Sequence, residues 1–169
     1  REGTGWFDGV LFRETLVLPD LEVPDAPGAM RSLTACLQSE GCIRDGFLDA
    51  LLARERDYPT GLATKTMAVA IPHADPTYVE IPALAAARLR HPVSFRAMDD
   101  PGRPLDVRLV FLIALKSPEE QIAFLKKFAQ AIQSGEFLGR LISCADGSGL
   151  YREIGQALGV GIRGGPAAG

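Results

Sequence analysis

Two histidines and three cysteines are among the side chains of this chain able to do covalent or proton-transfer chemistry near neutral pH. His73 stands out by its setting. It follows the apolar run Met67-Ala68-Val69-Ala70-Ile71 and Pro72, and precedes Ala74-Asp75-Pro76. The run predicts a buried strand, and the residues after it predict a turn. That puts an imidazole at a strand's C-terminal end, where layered α/β domains gather functional groups. A neutral imidazole nitrogen is a good nucleophile near neutral pH. A histidine that merely closes a strand would look the same on these residues alone. His91, within Arg88-Leu89-Arg90-His91-Pro92, has charged neighbours that predict an exposed strand end and little chemistry.

Other chemistries are poorly served. Cys36, Cys42 and Cys144 form no CxxC pair, and two distant histidines give no metal-ligand spacing, so no metal and no cofactor are expected. Neither GxGxxG nor GxxxxGK[ST] occurs. Gly147-Ser148-Gly149 lacks the rest of a nucleophile elbow and reads as a helix start. Asp99-Asp100-Pro101-Gly102 reads as a type II turn and not as a catalytic carboxylate pair.

Composition narrows the class further. A net charge of −3 argues against nucleic-acid binding. The longest apolar run, Leu109 to Leu115, suits a buried strand and is too short to span a membrane. No signal-peptide pattern is present, and three unpaired cysteines read as reduced thiols of a cytoplasmic protein. The chain does not begin with Met, so a trimmed start or excision from a longer chain is expected. Its 169 residues fit one domain with a real core.

The elements that must position His73 follow from local signals. Residues 1–10 read as a lead-in, with Trp6 and Phe7 tucked onto the body. Thr15 to Leu18 reads as a short strand. Asp25 is placed to cap a helix with Pro27 in its first turn, and Gly41 to stop it. A second helix is expected from about Asp45 to Arg56, then a loop over 57–61. Ala83 to Leu89 reads as a strand, and Val107 to Leu115 as a central buried one. Ser117-Pro118-Glu119-Glu120 is a capping box, opening a helix whose expected buried face is Ile122, Leu125, Ala129 and Ile132. Two short helices follow, around Phe137 to Ile142 and Leu150 to Leu158. The Gly/Pro/Ala-rich end reads as a flexible tail. Interleaved strands and helices predict an α/β or α+β layered domain.

Taken in order, several of these segments resemble one family. Leu51-Leu52-Ala53-Arg54-Glu55-Arg56 is followed by Pro59-Thr60-Gly61-Leu62 and then by Val69-Ala70-Ile71-Pro72-His73. Ala87-Arg88-Leu89 with Pro92-Val93, the strand Val107 to Leu115, and Pro118-Glu119-Glu120-Gln121 leading to Phe124-Leu125-Lys126-Lys127 continue the match. The pattern resembles the enzyme IIA domain, fructose–mannitol type (type 2), of the bacterial phosphotransferase system, and its details are closest to the galactitol-type branch.

The resemblance spans residues 11–158, leaving 1–10 as lead-in and 159–169 as tail. It implies a mixed central β-sheet flanked by helices. It also implies a phosphohistidine relay in which His73 takes phosphate from the carrier HPr and passes it to a cysteine of EIIB, for sugar uptake through the membrane component EIIC. The alternative within the same fold is a regulatory phosphodomain, of the nitrogen-related type or fused to a transcription regulator. By the same resemblance Arg54 would pair with phosphate oxygens, and Thr60 would offer a hydroxyl. Gln121 stands where many relatives carry a second histidine, and would hydrogen-bond the ring or the phosphate. Partners are expected on an apolar patch drawn from Leu62 to Met67 and near Tyr78.

Overall fold

A computed structural model describes residues 9–161; Trp6 and Phe7 lie outside them. Five strands and five helices follow one another as β1 (Val17–Leu21), α1 (Ala26–Ser39), α2 (Phe47–Asp57), β2 (Gly61–Ala63), β3 (Ala68–Ala70), β4 (Ala83–Ala97), β5 (Asp100–Ala114), α3 (Pro118–Ile132), α4 (Glu136–Ser143) and α5 (Gly147–Leu158). The result is the mixed five-stranded sheet with flanking helices that the resemblance implied.

The sheet is organised by β4 and β5, which pair antiparallel along most of their length. β1 lies parallel to β4, β3 parallel to β5, and β2 antiparallel to β3. β2 also meets the far end of β4 at Gly61 opposite Ala97, so β4, β5, β3 and β2 pair in a closed ring. Gly61 permits that closure. A Cβ there would stand 2.5 Å from the Arg96 carbonyl oxygen.

Side chains alternate across the sheet with the period of a strand. Val110, Leu112 and Ala114 point into a core shared with α1 and α2. Leu109, Phe111 and Ile113 point into a second core shared with α3, α4 and α5. Being covered on both faces makes the C-terminal half of β5 continuously apolar. Val160 also packs into the second core, although the span of the resemblance leaves it in the tail.

Caps fall where local chemistry puts them. The carboxylates of Asp25 and Asp146 accept from the amides of Gly28 and Gly149, each at 2.9 Å. Ser117 Oγ accepts from the Glu120 amide at 3.1 Å. The reciprocal arm of that box lands one residue early, with Glu120 accepting from the Lys116 amide.

Four local expectations are corrected. The first strand begins at Val17, because a 3-10 turn over Glu14–Leu16 precedes it. The hairpin between β4 and β5 turns at Met98–Asp99, and Pro101 and Gly102 lie inside β5. Gly102 has no positive φ, so the type II position it would need is not formed. His91 is not at a strand end. It is an exposed residue within β4, in the irregular stretch between Arg88 and Val93. On α3 the buried face is Phe124, Phe128 and Ile132, whereas Ile122 and Ala129 face outward. Two phenylalanines bury more apolar area than the rival stripe, which sets the helix's rotation.

Candidate functional site

β3 ends at Ala70, but its course continues through Ile71-Pro72 to His73, which makes an isolated parallel bridge with Ile113. The Ile113 amide donates to the Pro72 carbonyl at 3.0 Å, fixing this extension against β5. Ile71 belongs to the core of one face and Ala74 to that of the other. His73 is thus pinned from both sides at the C-terminal edge of the parallel pair β3 and β5.

The ring is held by one bond. Nδ1 lies 2.9 Å from the carbonyl oxygen of Ile71. A carbonyl can only accept, so Nδ1 carries the hydrogen and Nε2 keeps its lone pair. Among the described residues nothing hydrogen-bonds Nε2. Burial pushes the His73 pKa below the ordinary imidazole value; the Ile71 bond opposes this and the Arg54 charge adds to it. The combination yields a neutral imidazole with one free, oriented nucleophilic nitrogen.

Arg54 sits in the last turn of α2, its guanidinium carbon 5.5 Å from the centre of the Tyr58 ring. It makes no ion pair among the described residues. Its charge is felt both at His73 and at the exposed Asp75. A planar cation braced on an aromatic face beside a nucleophile is suited to an arriving dianion.

Gln121 occupies the first turn of α3. Its amide nitrogen donates to the carbonyl oxygen of Ala74 at 3.2 Å, so it latches α3 to the residue after His73. It makes no hydrogen bond to the ring, whose one bonded nitrogen is taken by Ile71.

Thr60 is brought near by β2, but its single hydroxyl hydrogen is used elsewhere. Its hydroxyl and its amide donate to the two oxygens of Glu55, each at 2.8 Å, and the residue is 3% exposed. The expected donor is therefore a brace. Its carbonyl accepts from the Ile71 amide at 3.3 Å, so Glu55, Thr60 and Ile71 form a chain leading to His73. Sequence reasoning missed Glu55. Burial raises its carboxyl pKa while the Thr60 bonds and Arg54 pull it down. The only sequence signal was its place between two arginines.

Part of the expected apolar surface is drawn into the cores. Leu62, Met67 and Tyr78 are partly buried against the cores. Large exposed apolar side chains are Tyr58 beneath Arg54 and Ile122 next to Gln121, 67% and 61% exposed, and Ile81, 39% exposed and three residues beyond Tyr78.

The chain is also similar to known proteins. A family model described as "Phosphoenolpyruvate-dependent sugar phosphotransferase system, EIIA 2" matches residues 10–157. The galactitol-specific EIIA component of Escherichia coli strain K12 is 29% identical over 105 residues, which are 62% of this chain and 69% of that protein. A fructose-specific EIIA component from Haloferax volcanii is 30% identical over 131 residues, covering 75% of this chain and 82% of that protein. A solved complex of enzyme IIAMTL and phosphorylated enzyme IIBMTL from Escherichia coli matches with a TM-score of 0.66 at 18% identity, covering 88% of this chain and 98% of that one. At that identity the structural likeness speaks to the fold alone. No helix among the described residues is long and apolar enough to cross a membrane.

Proposed function

The chain belongs to the EIIA 2 family of the phosphoenolpyruvate-dependent sugar phosphotransferase system, and from that membership we propose that His73 is the residue that carries its phosphoryl group. As a family member the protein is a phosphotransferase relay component for sugar transport. The observation that carries the assignment to His73 is the Nδ1 bond to Ile71, which leaves Nε2 as the free nucleophile.

The chemistry runs in two displacements. The Nε2 lone pair attacks phosphorus on phospho-HPr, and the bond from phosphorus to the donor breaks with its electron pair returning to the donor. No proton has to leave the His73 ring. The ring gains positive character, which the Ile71 carbonyl stabilises through Nδ1–H. Arg54 balances charge on the transferring phosphoryl oxygens, and the Gln121 latch keeps the His73 loop in line. A cysteine thiolate of EIIB then attacks the phosphorus, the Nε2–P bond breaks, and the ring returns to neutral. The phosphoryl group reaches the sugar through EIIC, and the galactitol-specific relative supports a galactitol-like substrate. A cytoplasmic location fits such partners.

Purified chain incubated with enzyme I, HPr and labelled phosphoenolpyruvate should take up label, while the His73→Ala variant should take up none. Equal labelling of the two would overturn the assignment.

A further inference from the structure

Twelve arginines are among the described residues, and most have an obvious occupation. Arg13, Arg44, Arg90, Arg103 and Arg140 make ion pairs. Arg88 and Arg108 donate to backbone carbonyls, and Arg152 to Ser148. Arg54 faces His73. The side chains of the remaining three, Arg31, Arg56 and Arg96, have no hydrogen bond or ion pair among the described residues, and all three residues line one cleft. They come from α1, α2 and β4, so only the fold brings them together. In a chain with net charge −3 the concentration of uncompensated positive charge is a feature of this cleft.

The cleft lies on the helix face away from α3 and has a volume of about 430 Å³. Its floor is apolar, built from Met30, Leu52 and Phe95. Two hydroxyl-reading groups join the wall. Ser94 is exposed, and Glu55 keeps acceptor capacity beyond its two bonds from Thr60. We propose that this cleft binds a small phosphomonoester of a polyol or sugar, its phosphate taken by the three arginines and its hydroxyls by Ser94 and Glu55.

Each part of such a ligand has a counterpart. Guanidinium forks match phosphate oxygens in pairs, and three of them suit a dianion. A carbon chain packs on the apolar floor, and the volume is that of an ordinary small-molecule site. Glu55 excludes a wholly anionic ligand and favours one with hydroxyl donors beside the phosphate. The same residue leads through Thr60 to Ile71, so the cleft adjoins the support of the His73 loop. The binding claim does not depend on phosphoryl transfer at His73. A protein unable to accept phosphate would still bind.

The test is a titration of the isotopically labelled full chain with fructose 1-phosphate, followed by amide NMR, with fructose and inorganic phosphate as controls. Fructose 1-phosphate should shift amides at Arg31, Arg56 and Ser94 to Arg96. Fructose should shift none, and inorganic phosphate should bind at least about tenfold more weakly, lacking the floor and hydroxyl contacts. Arg31→Gln with Arg96→Gln should weaken binding about a hundredfold, roughly tenfold per charged contact. Arg152→Gln, remote from the cleft, should leave affinity unchanged. Shifts confined to residues 72–77, no shift at about 20 mM, inorganic phosphate binding as tightly, or an unaffected double variant with native dispersion would each overturn the proposal.

Discussion

Gln121 and Ala74 are 47 residues apart in the chain and are joined by one hydrogen bond of 3.2 Å, from the Gln121 amide to the Ala74 carbonyl. This bond ties the start of α3 to the loop that leaves His73. Losing it should loosen the ring's aim without removing the nucleophile. Gln121→Ala is expected to slow phosphoryl acceptance roughly fivefold, the size of one neutral hydrogen bond. Gln121→Glu should be slower still, since a carboxylate would face the carbonyl oxygen. Single-turnover rates with phospho-HPr measure both; an unslowed Glu variant would show the latch to be irrelevant.

The Ile71 carbonyl predicts a tautomer. Nitrogen NMR of the unphosphorylated chain should show His73 protonated at Nδ1, with the phosphoryl group appearing on Nε2 after transfer. Phosphorylation on Nδ1 would contradict the proposed chemistry.

Burial gives His73 a pH signature. Its pKa is lowered, so the reactive neutral ring persists as pH falls through about 6.5, the unperturbed value. Acceptance should stay level there and decline only at lower pH. The stability effect has a definite sign. The unfolded imidazole takes up its proton first, so this residue's contribution is present above about 6.5 and is lost as pH falls towards the folded value. Because the Arg54 charge contributes to the depression, Arg54→Gln should move the decline in rate to higher pH as well as slow transfer about tenfold or more. A slower rate with an unmoved profile would separate Arg54 from the ring.

Gly61 is predicted to tolerate no side chain. The first atom a Cβ would meet is backbone, the Arg96 carbonyl oxygen at 2.5 Å, and backbone in a paired strand cannot swing aside. Gly61→Ala should cost about 2 kcal/mol, an overpacking effect, visible in denaturant unfolding. Since Thr60 is next to it, reduced phosphoryl acceptance should accompany the loss.

Arg88 supplies a stability test away from the site. It donates from Nε to the Pro19 carbonyl at 2.9 Å and from one terminal nitrogen to the carbonyls of Leu141, Ile142 and Cys144, closing the C-terminal end of α4. Arg88→Met keeps much of the stem but strands these acceptors, and should destabilise by about 3 kcal/mol in thermal or denaturant unfolding. Phosphoryl acceptance below the melting range should be unchanged.

What was legible in the sequence was what neighbours in the chain decide. Asp25 and Ser117 cap helices because the amides they need lie within three residues, and Pro72-His73 ends a strand because of its own flanks. What was not legible depends on distant partners. Pro101-Gly102 looks like a turn, yet pairing of Ala97 with Asp100 moves the reversal to Met98–Asp99, which has no such signature. The rotation of α3 depends on which stripe the sheet receives. Thr60 looks like a free donor until Glu55, five residues earlier, claims both its amide and its hydroxyl. Glu55 was missed for the same reason, since a half-buried acceptor announces itself only once its surroundings are known.

The closed ring of β4, β5, β3 and β2 has a consequence for life in a crowded solution. A relay protein meets its partners repeatedly, and an open strand edge would invite permanent attachment by strand addition. The ring leaves β1 at the end of the sheet, paired on one side only, and β1 is five residues long with Pro19 at its centre and Asp20 beside it. A proline without an amide hydrogen and an acidic neighbour make a poor template for a further strand. Self-association into fibres by strand addition at β1 is thereby discouraged.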